Sequence, residues 1–199
     1  GGIREYDGTD PMNKINWKAS ARMGNLMVNL QNSTYSPKVA CFLDVEDVTM
    51  WKHREVHEEG IRLAASVLRE LLRKGVPSAL FCNGEDVLSS TPIRLMEGNG
   101  RGQIEKVNRS LSRLNLEAKK RPEPIREQLL ERAKGLTMDS AVVILITESQ
   151  DEELINLVKK MASTGISFLW LGIFYRDESW QGPNIHGVSY LKWEVEHEG

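Results

Sequence analysis

The sequence predicts an α/β protein built on a mostly parallel sheet with helices on both faces. Two apolar runs and their surroundings predict it. Val39 to Leu43 is short and unbroken, stops at Asp44, and has Glu46 and Asp47 close behind. Val142 to Ile146 is a second such run, stopping at Thr147 and Glu148. Each precedes a stretch with helical spacing. A continuous apolar run bounded by polar residues is how a strand covered on both faces reads. Strands that alternate with helices pair in parallel, because each crossover carries the chain back over the sheet.

In chain order, Val39 to Asp44 is the first strand of this sheet. Glu55 to Arg73 is an amphipathic helix whose apolar stripe is Ile61, Leu63, Ala64, Val67, Leu68, Leu71 and Leu72, and Gly75 is its terminating glycine. Pro77 to Cys82 is a strand, and Asn83-Gly84 reads as a turn. Pro92 to Glu97 is a short edge strand, and Gly98 to Gly102, with three glycines, reads as a flexible loop. Gln103 to Leu114 and Pro124 to Lys134 are helical, and Ala141 to Thr147 is a buried strand. Asp151 to Ser163 is a helix whose acidic start suits the positive end of its dipole. Ile166 to Phe174 and Gly187 to Val195 are the last strands. There is no internal repeat and no low-complexity tract.

A chain of 199 residues fits one domain with an extra arm. A net charge of −2 gives no global field toward nucleic acid or membrane. No apolar run approaches the roughly 18 residues that cross a bilayer. No signal-peptide pattern opens the chain, although the start at Gly1-Gly2 leaves room for an upstream anchor. Cys41 and Cys82 fall in predicted strands and read as small buried hydrophobes of a reducing, cytoplasmic compartment, with a disulfide as the alternative.

Residues 1–37 form the arm. Asp7-Gly8 and Asp10-Pro11 are turns. Ile15 and Trp17 are candidate anchors. Leu26, Val28 and Leu30 alternate with Met27, Asn29 and Gln31 like a half-buried strand. Two readings stand. The arm covers a sheet edge, or Arg4, Lys18 and Arg22 present a basic face to a partner, with Trp17 beside them.

The arm also carries the most specific pattern in the chain: Arg4-Glu5-Tyr6, Asp10-Pro11, Ile15, Trp17, Ala19-Ser20-Ala21-Arg22, Leu26 and Val28. This resembles the signature of bacterial domain-of-unknown-function family 58. Residues 38–199, downstream of the arm, resemble the von Willebrand factor A-like domain of that family. The resemblance covers essentially the whole chain. It implies a Rossmann-like sheet behind an N-terminal arm. It implies a non-enzymatic protein that works with a MoxR-type AAA+ ATPase, and membrane helices upstream of this region in many relatives.

The resemblance also implies a metal-ion-dependent adhesion site in degenerate form. The D-x-S-x-S of such sites appears here as Asp44, Val45, Glu46, Asp47 and Val48, so both serines are replaced. Thr49 offers a hydroxyl one place later, and the family's T-D-G appears as Thr147-Glu148-Ser149. Asp44, Glu46, Thr49 and Glu148 are therefore the candidate ligands, with Mg²⁺ or Mn²⁺ as the candidate ion. The extra carboxylates raise mutual repulsion and leave less charge on the ion for a partner's acidic group. The competing reading is a vestigial acidic rim. Asp47 and Trp51 lie beside these residues and are the partner-binding candidates here.

Other patterns are weaker. His53 and His57 share a helix face and could ligate zinc, but Arg54 stands where H-E-x-x-H needs Glu, and no third ligand is evident. A solvated helix start is the competing reading. Gly98 to Gly102 lacks the Gly-Lys-Ser/Thr ending of a phosphate loop. Residues 101–135 hold ten Lys/Arg against five Glu, densest at Lys119-Lys120-Arg121, without the interleaved aromatics that stack on bases. Nucleic acid is not an expected partner. Trp170 reads as core, whereas Trp51 and Trp180 fall in loops and suit a contact surface.

No nucleophile and base come together. Ser20, Ser66 and Ser149 lack a nucleophile-elbow context, and neither cysteine has a histidine predicted nearby. Asp44, Glu46 and Glu148 could serve a metal-dependent hydrolase. The binding module is the favoured class, because the sequence offers acids but no basic or polar clamp for a substrate.

Overall fold

The apolar runs ahead of Asp44 and Thr147 are neighbouring parallel strands. The computed structural model describes residues 2–10, 14–29, 38–133 and 141–198. Its elements are β1 (Ile3–Glu5), α1 (Trp17–Met23), β2 (Met27–Asn29), β3 (Lys38–Leu43), α2 (Arg54–Arg73), β4 (Ser78–Glu85), β5 (Pro92–Gly98), α3 (Gly100–Ser112), α4 (Ile125–Ala133), β6 (Ala141–Thr147), α5 (Glu152–Ser163), β7 (Ser167–Tyr175) and β8 (Val188–Val195). Six strands form one sheet in the order β5-β4-β3-β6-β7-β8. Every neighbouring pair is parallel except β4 with β5, which is antiparallel. Counted from β3, this is the doubly wound order of Rossmann-like proteins, which reverses between β3 and β6.

Strand alternation builds a core on each face. Val39, Cys41 and Leu43 pack with Leu68, Leu71 and Leu72 of α2 and with Val107 and Leu111 of α3. Ala40 and Phe42 pack on the other face with Ile125 and Leu129 of α4 and with Leu154, Val158 and Met161 of α5. The stripe on α2 points inward as its spacing requires. Gly75, at φ 80°, ends the helix. Its N–H bonds to the Leu72 carbonyl and that of Val76 to the Leu71 carbonyl, each at 3.0 Å. These two bonds close a Schellman motif. Cys41 and Cys82 are free and buried. Burial lifts the Cys41 thiol to about 12 and the Cys82 thiol further in the same direction.

Two glycine-bearing segments differ from expectation. Asn83-Gly84 is not a turn, because β4 runs through it to Glu85. A Cβ on Gly84 would lie 2.7 Å from Val45 Cγ2 and 2.8 Å from Leu114 Cδ2, so the glycine serves a close approach within a strand. Gly98 to Gly102 is not a flexible loop either. Gly98 ends β5, the Asn99 side chain accepts the Gly100 N–H, and α3 begins at Gly100. A side chain on Gly98 would run into Gln103, whose Nε2 donates to the carbonyls of Ser78 and Met96, each at 2.9 Å.

The arm pairs β1 with β2 antiparallel and packs α1 against β7 and the edge strand β8. Its signature residues Ile15, Ala19, Ala21 and Val28 are buried. Asn16 caps α1 by accepting the Ala19 N–H at 2.9 Å. Arg4 is paired with Asp10. Pro11, Leu30, Gln31, Lys134 and the arm boundary at residue 37 lie outside the described residues. No helix among the described residues is long and apolar enough to cross a membrane.

Candidate functional site

Asp44 follows β3 at the point where the strand order reverses, the place where open α/β sheets bind ligands. It is only 4% exposed. Its Oδ2 accepts from Thr147 Oγ1 at 2.7 Å, and its Oδ1 accepts from Asn83 Nδ2 at 2.8 Å and from the Glu46 N–H at 3.0 Å. Asn83 Oδ1 in turn accepts the Val45 N–H at 2.9 Å. One carboxylate thus ties together the ends of β4, β3 and β6. Burial pushes the Asp44 carboxyl above its ordinary range, against the hydrogen bonds from Thr147, Glu46 and Asn83. Asn83 was missed in the sequence because Asn-Gly is a turn signal.

Glu148, also 4% exposed, follows β6. Its Oε2 lies 2.7 Å from His53 Nδ1, and its Oε1 lies 3.9 Å from His57 Nε2. Asp47 Oδ1 accepts the His53 N–H at 2.8 Å and sits 2.7 Å from His57 Nε2. The histidine face at the start of α2 is therefore not solvated, since His53 and His57 are each 5% exposed. Nor do the histidines lack further ligands. Asp47, His57 and Glu148 offer donor atoms within 4.8 Å of one another, as do His53, Glu148 and Glu178. The histidine spacing alone could not show this, because the carboxylates arrive from β6 and from the β3–α2 connection. Burial lifts the Glu148 carboxyl to about 7, with His53 opposing. Burial also drives His57 below its usual value, with Asp47 opposing.

A cleft of about 560 Å³ opens beside Asp44, Glu46, Asp47 and Glu148 and is also lined by Arg121 and Arg126. Arg121 Nε donates to Glu46 Oε1 at 2.7 Å, and Arg126 Nη1 to Asp151 Oδ2 at 3.0 Å. The acids do have basic company, because the basic segment folds back over them. Thr49 Oγ1 lies 3.0 Å from His53 Nε2. So Asp44 is occupied by three donors, Glu46 by Arg121 and Thr49 by His53. Among the described residues Asp44, Glu46 and Glu148 do not bring their oxygens within 4.8 Å of one another, so they do not converge on one hard cation.

The connections after β3 and β4 carry an apolar rim. Met50 is 89% and Trp51 72% exposed, with Val48, Val87 and Leu88 exposed as well. Residues 113–116 join the two connections: Val87 N–H donates to Arg113 O at 2.8 Å, and Lys52 Nζ to Leu116 O at 2.9 Å. Arg22 is exposed in the last turn of α1. Trp17 is half-buried against the core instead of standing free. Trp180 is half-buried and packs edge-on to Trp170 and Tyr190.

The family model described as "Protein of unknown function DUF58" matches residues 2–167. Comparison with curated proteins yields no match. Among solved structures, an aerotolerance-related membrane protein from Bacteroides fragilis NCTC 9343, with multiple mutations to serines, superposes at TM-score 0.52 and 16% identity, over 74% of each chain. Proximal thread matrix protein 1 from the mussel byssus superposes at TM-score 0.45 and 12% identity, over 69% of this chain and 37% of its own. The first likeness shows the fold.

Proposed function

The chain belongs to the DUF58 family of proteins of unknown function, and on that premise we propose that it is a non-enzymatic protein-binding module. Its partner docks on the rim after β3 and β4, next to the charged cleft. The observation that carries this reading is the exposure of Met50 and Trp51 on the connection after β3 and of Val87 and Leu88 on the connection after its neighbour β4. Exposed apolar side chains gathered in one place mark an interaction surface, and an aromatic residue ringed by polar groups is a frequent anchor. The mixed acids and arginines of the cleft favour a partner with its own charged groups, which would set orientation and encounter rate.

The likeness of residues 38–199 to a von Willebrand factor A-like domain supports a MoxR-type AAA+ ATPase, or one of its clients, as that partner. The description of the Bacteroides fragilis neighbour as a membrane protein supports a membrane-anchored whole protein, in which our reading places this domain on the cytoplasmic side. Biolayer interferometry of this chain against the purified MoxR-type ATPase from its own source tests the proposal. Saturable binding supports it. No binding, with and without ATP, overturns the ATPase as partner.

A further inference from the structure

We propose that Asp47, His57 and Glu148 bind one divalent transition-metal ion of the Zn²⁺ class. The site shares Glu148 with the Asp44, Glu46 and Thr49 set but takes its other donors from Asp47 and His57. His57 Nε2 stands 2.7 Å from Asp47 Oδ1 and 3.9 Å from Glu148 Oε1. Three donors about 2.0–2.2 Å from a tetrahedral ion stand roughly 3.4 Å apart. To reach that spacing the His57–Asp47 hydrogen bond opens and Glu148 closes on His57. In forming the site the ion replaces the proton that His57 and Asp47 share.

The donor chemistry selects the ion. An imidazole nitrogen with two carboxylates suits Zn²⁺ and its neighbours, whereas Mg²⁺ demands an octahedral shell of oxygens. Two carboxylates balance the ion's charge in a place where unpaired charge is costly. His57 Nδ1 is buried with no hydrogen-bond partner among the described residues. With Nε2 on the ion the ring proton sits on Nδ1, so this unpartnered nitrogen is a cost that the bonds to the ion must outweigh. Outer contacts already hold the ligands: the His53 N–H on Asp47 Oδ1, His53 Nδ1 on Glu148 Oε2 and the Val48 N–H on Glu148 Oε1. Such partners fix ligand orientation. Asp47 and Glu148 also line the cleft, through which water or a partner's group would reach a fourth position.

The test is calorimetric titration of the metal-stripped chain with Zn²⁺ and Mg²⁺, together with the visible absorption of Co²⁺ as a report on ligand geometry. One Zn²⁺ per chain is expected, bound far more tightly than Mg²⁺. Asp47→Asn should weaken Zn²⁺ by more than the roughly 10–100-fold that outer-shell partners carry and should abolish the Co²⁺ bands. Glu46→Gln, which lines the cleft outside the ligand set, should change neither. No Zn²⁺ binding by the unaltered chain, equal affinity for Mg²⁺, or unchanged binding by Asp47→Asn overturns the site. If Asp47→Asn shows no cooperative melt, His57→Gln and Glu148→Gln decide by the same readouts.

Discussion

His53 Nδ1 lies 2.7 Å from Glu148 Oε2, although the two residues are 95 positions apart and each is almost wholly buried. The contact joins the start of α2 to the end of β6. It places a titratable pair beneath the connection that displays Met50 and Trp51.

That burial predicts a pH dependence. The folded Glu148 carboxyl titrates at about 7, against its ordinary 4.5. The folded state therefore holds the extra proton, and stability falls as pH rises between those values. Asp44, also raised by burial, acts in the same direction. His57 acts oppositely, because its lowered value makes folding less favourable as pH drops below its ordinary 6.5. The whole Glu148 shift corresponds to about 3 kcal/mol. Glu148→Gln removes this titration while keeping the side chain's shape. Thermal melts in steps from about pH 5 to 7.5 should show a smaller loss of stability for the variant than for the unaltered chain. Superimposable profiles would refute the assignment.

Asn83→Ala tests the tie between the strand ends. The substitution removes the donor to Asp44 Oδ1 and strands the buried Val45 N–H that Asn83 Oδ1 accepts. Leaving buried polar groups unpaired costs about 1–3 kcal/mol each. A loss of roughly 2–4 kcal/mol in urea unfolding, with an unchanged m-value, is the expected result. A loss below about 0.5 kcal/mol would mean that the tie is dispensable.

Two glycines should fail for different reasons. Gly84→Ala meets Val45 and Leu114, so overpacking should cost about 1–3 kcal/mol. Trimming Leu114 to Ala in the same chain should recover part of that loss. Gly75→Ala has nothing within 4 Å but sits at φ +80°. It should lose about 1–2 kcal/mol through backbone strain alone, and trimming neighbours should recover none of it. Paired urea melts separate the two cases.

The sheet was legible because its strands are buried on both faces, which leaves unbroken apolar runs at Val39–Leu43 and Val142–Ile146. Asp44 and Glu148 were legible as ends of those runs. The site's true company was not. Asn83-Gly84 reads as a turn by local chemistry, but in β4 Asn83 bonds Asp44 and the Val45 N–H while Gly84 lies close to Val45 and Leu114. His53 and His57 have a spacing that fits a wet or a dry helix face equally. What buries them is Asp47 and Glu148, brought in by the fold. Arg121 belongs to a basic segment that resembles any solvated face until the chain turns it onto Glu46.

The rim makes the prediction closest to function. Trp51 is 72% exposed, yet its backbone is tied down. Its backbone N–H donates to Thr49 Oγ1 at 3.1 Å, and Thr49 leans on His53. The indole is thus presented on an ordered connection, which lowers the entropy lost when a partner covers it. Trp51→Ala should leave stability within about 0.5 kcal/mol, as exposed substitutions do. It should weaken partner binding by about 2 kcal/mol, or roughly thirtyfold. Trp193, partly exposed on β8 with its Nε1 donating to Glu59 Oε1 at 3.0 Å, is the control. Its alanine variant should bind as the unaltered chain does. Interferometry on both variants separates a docking rim from general stickiness. Equal losses in the two would place the docking surface elsewhere.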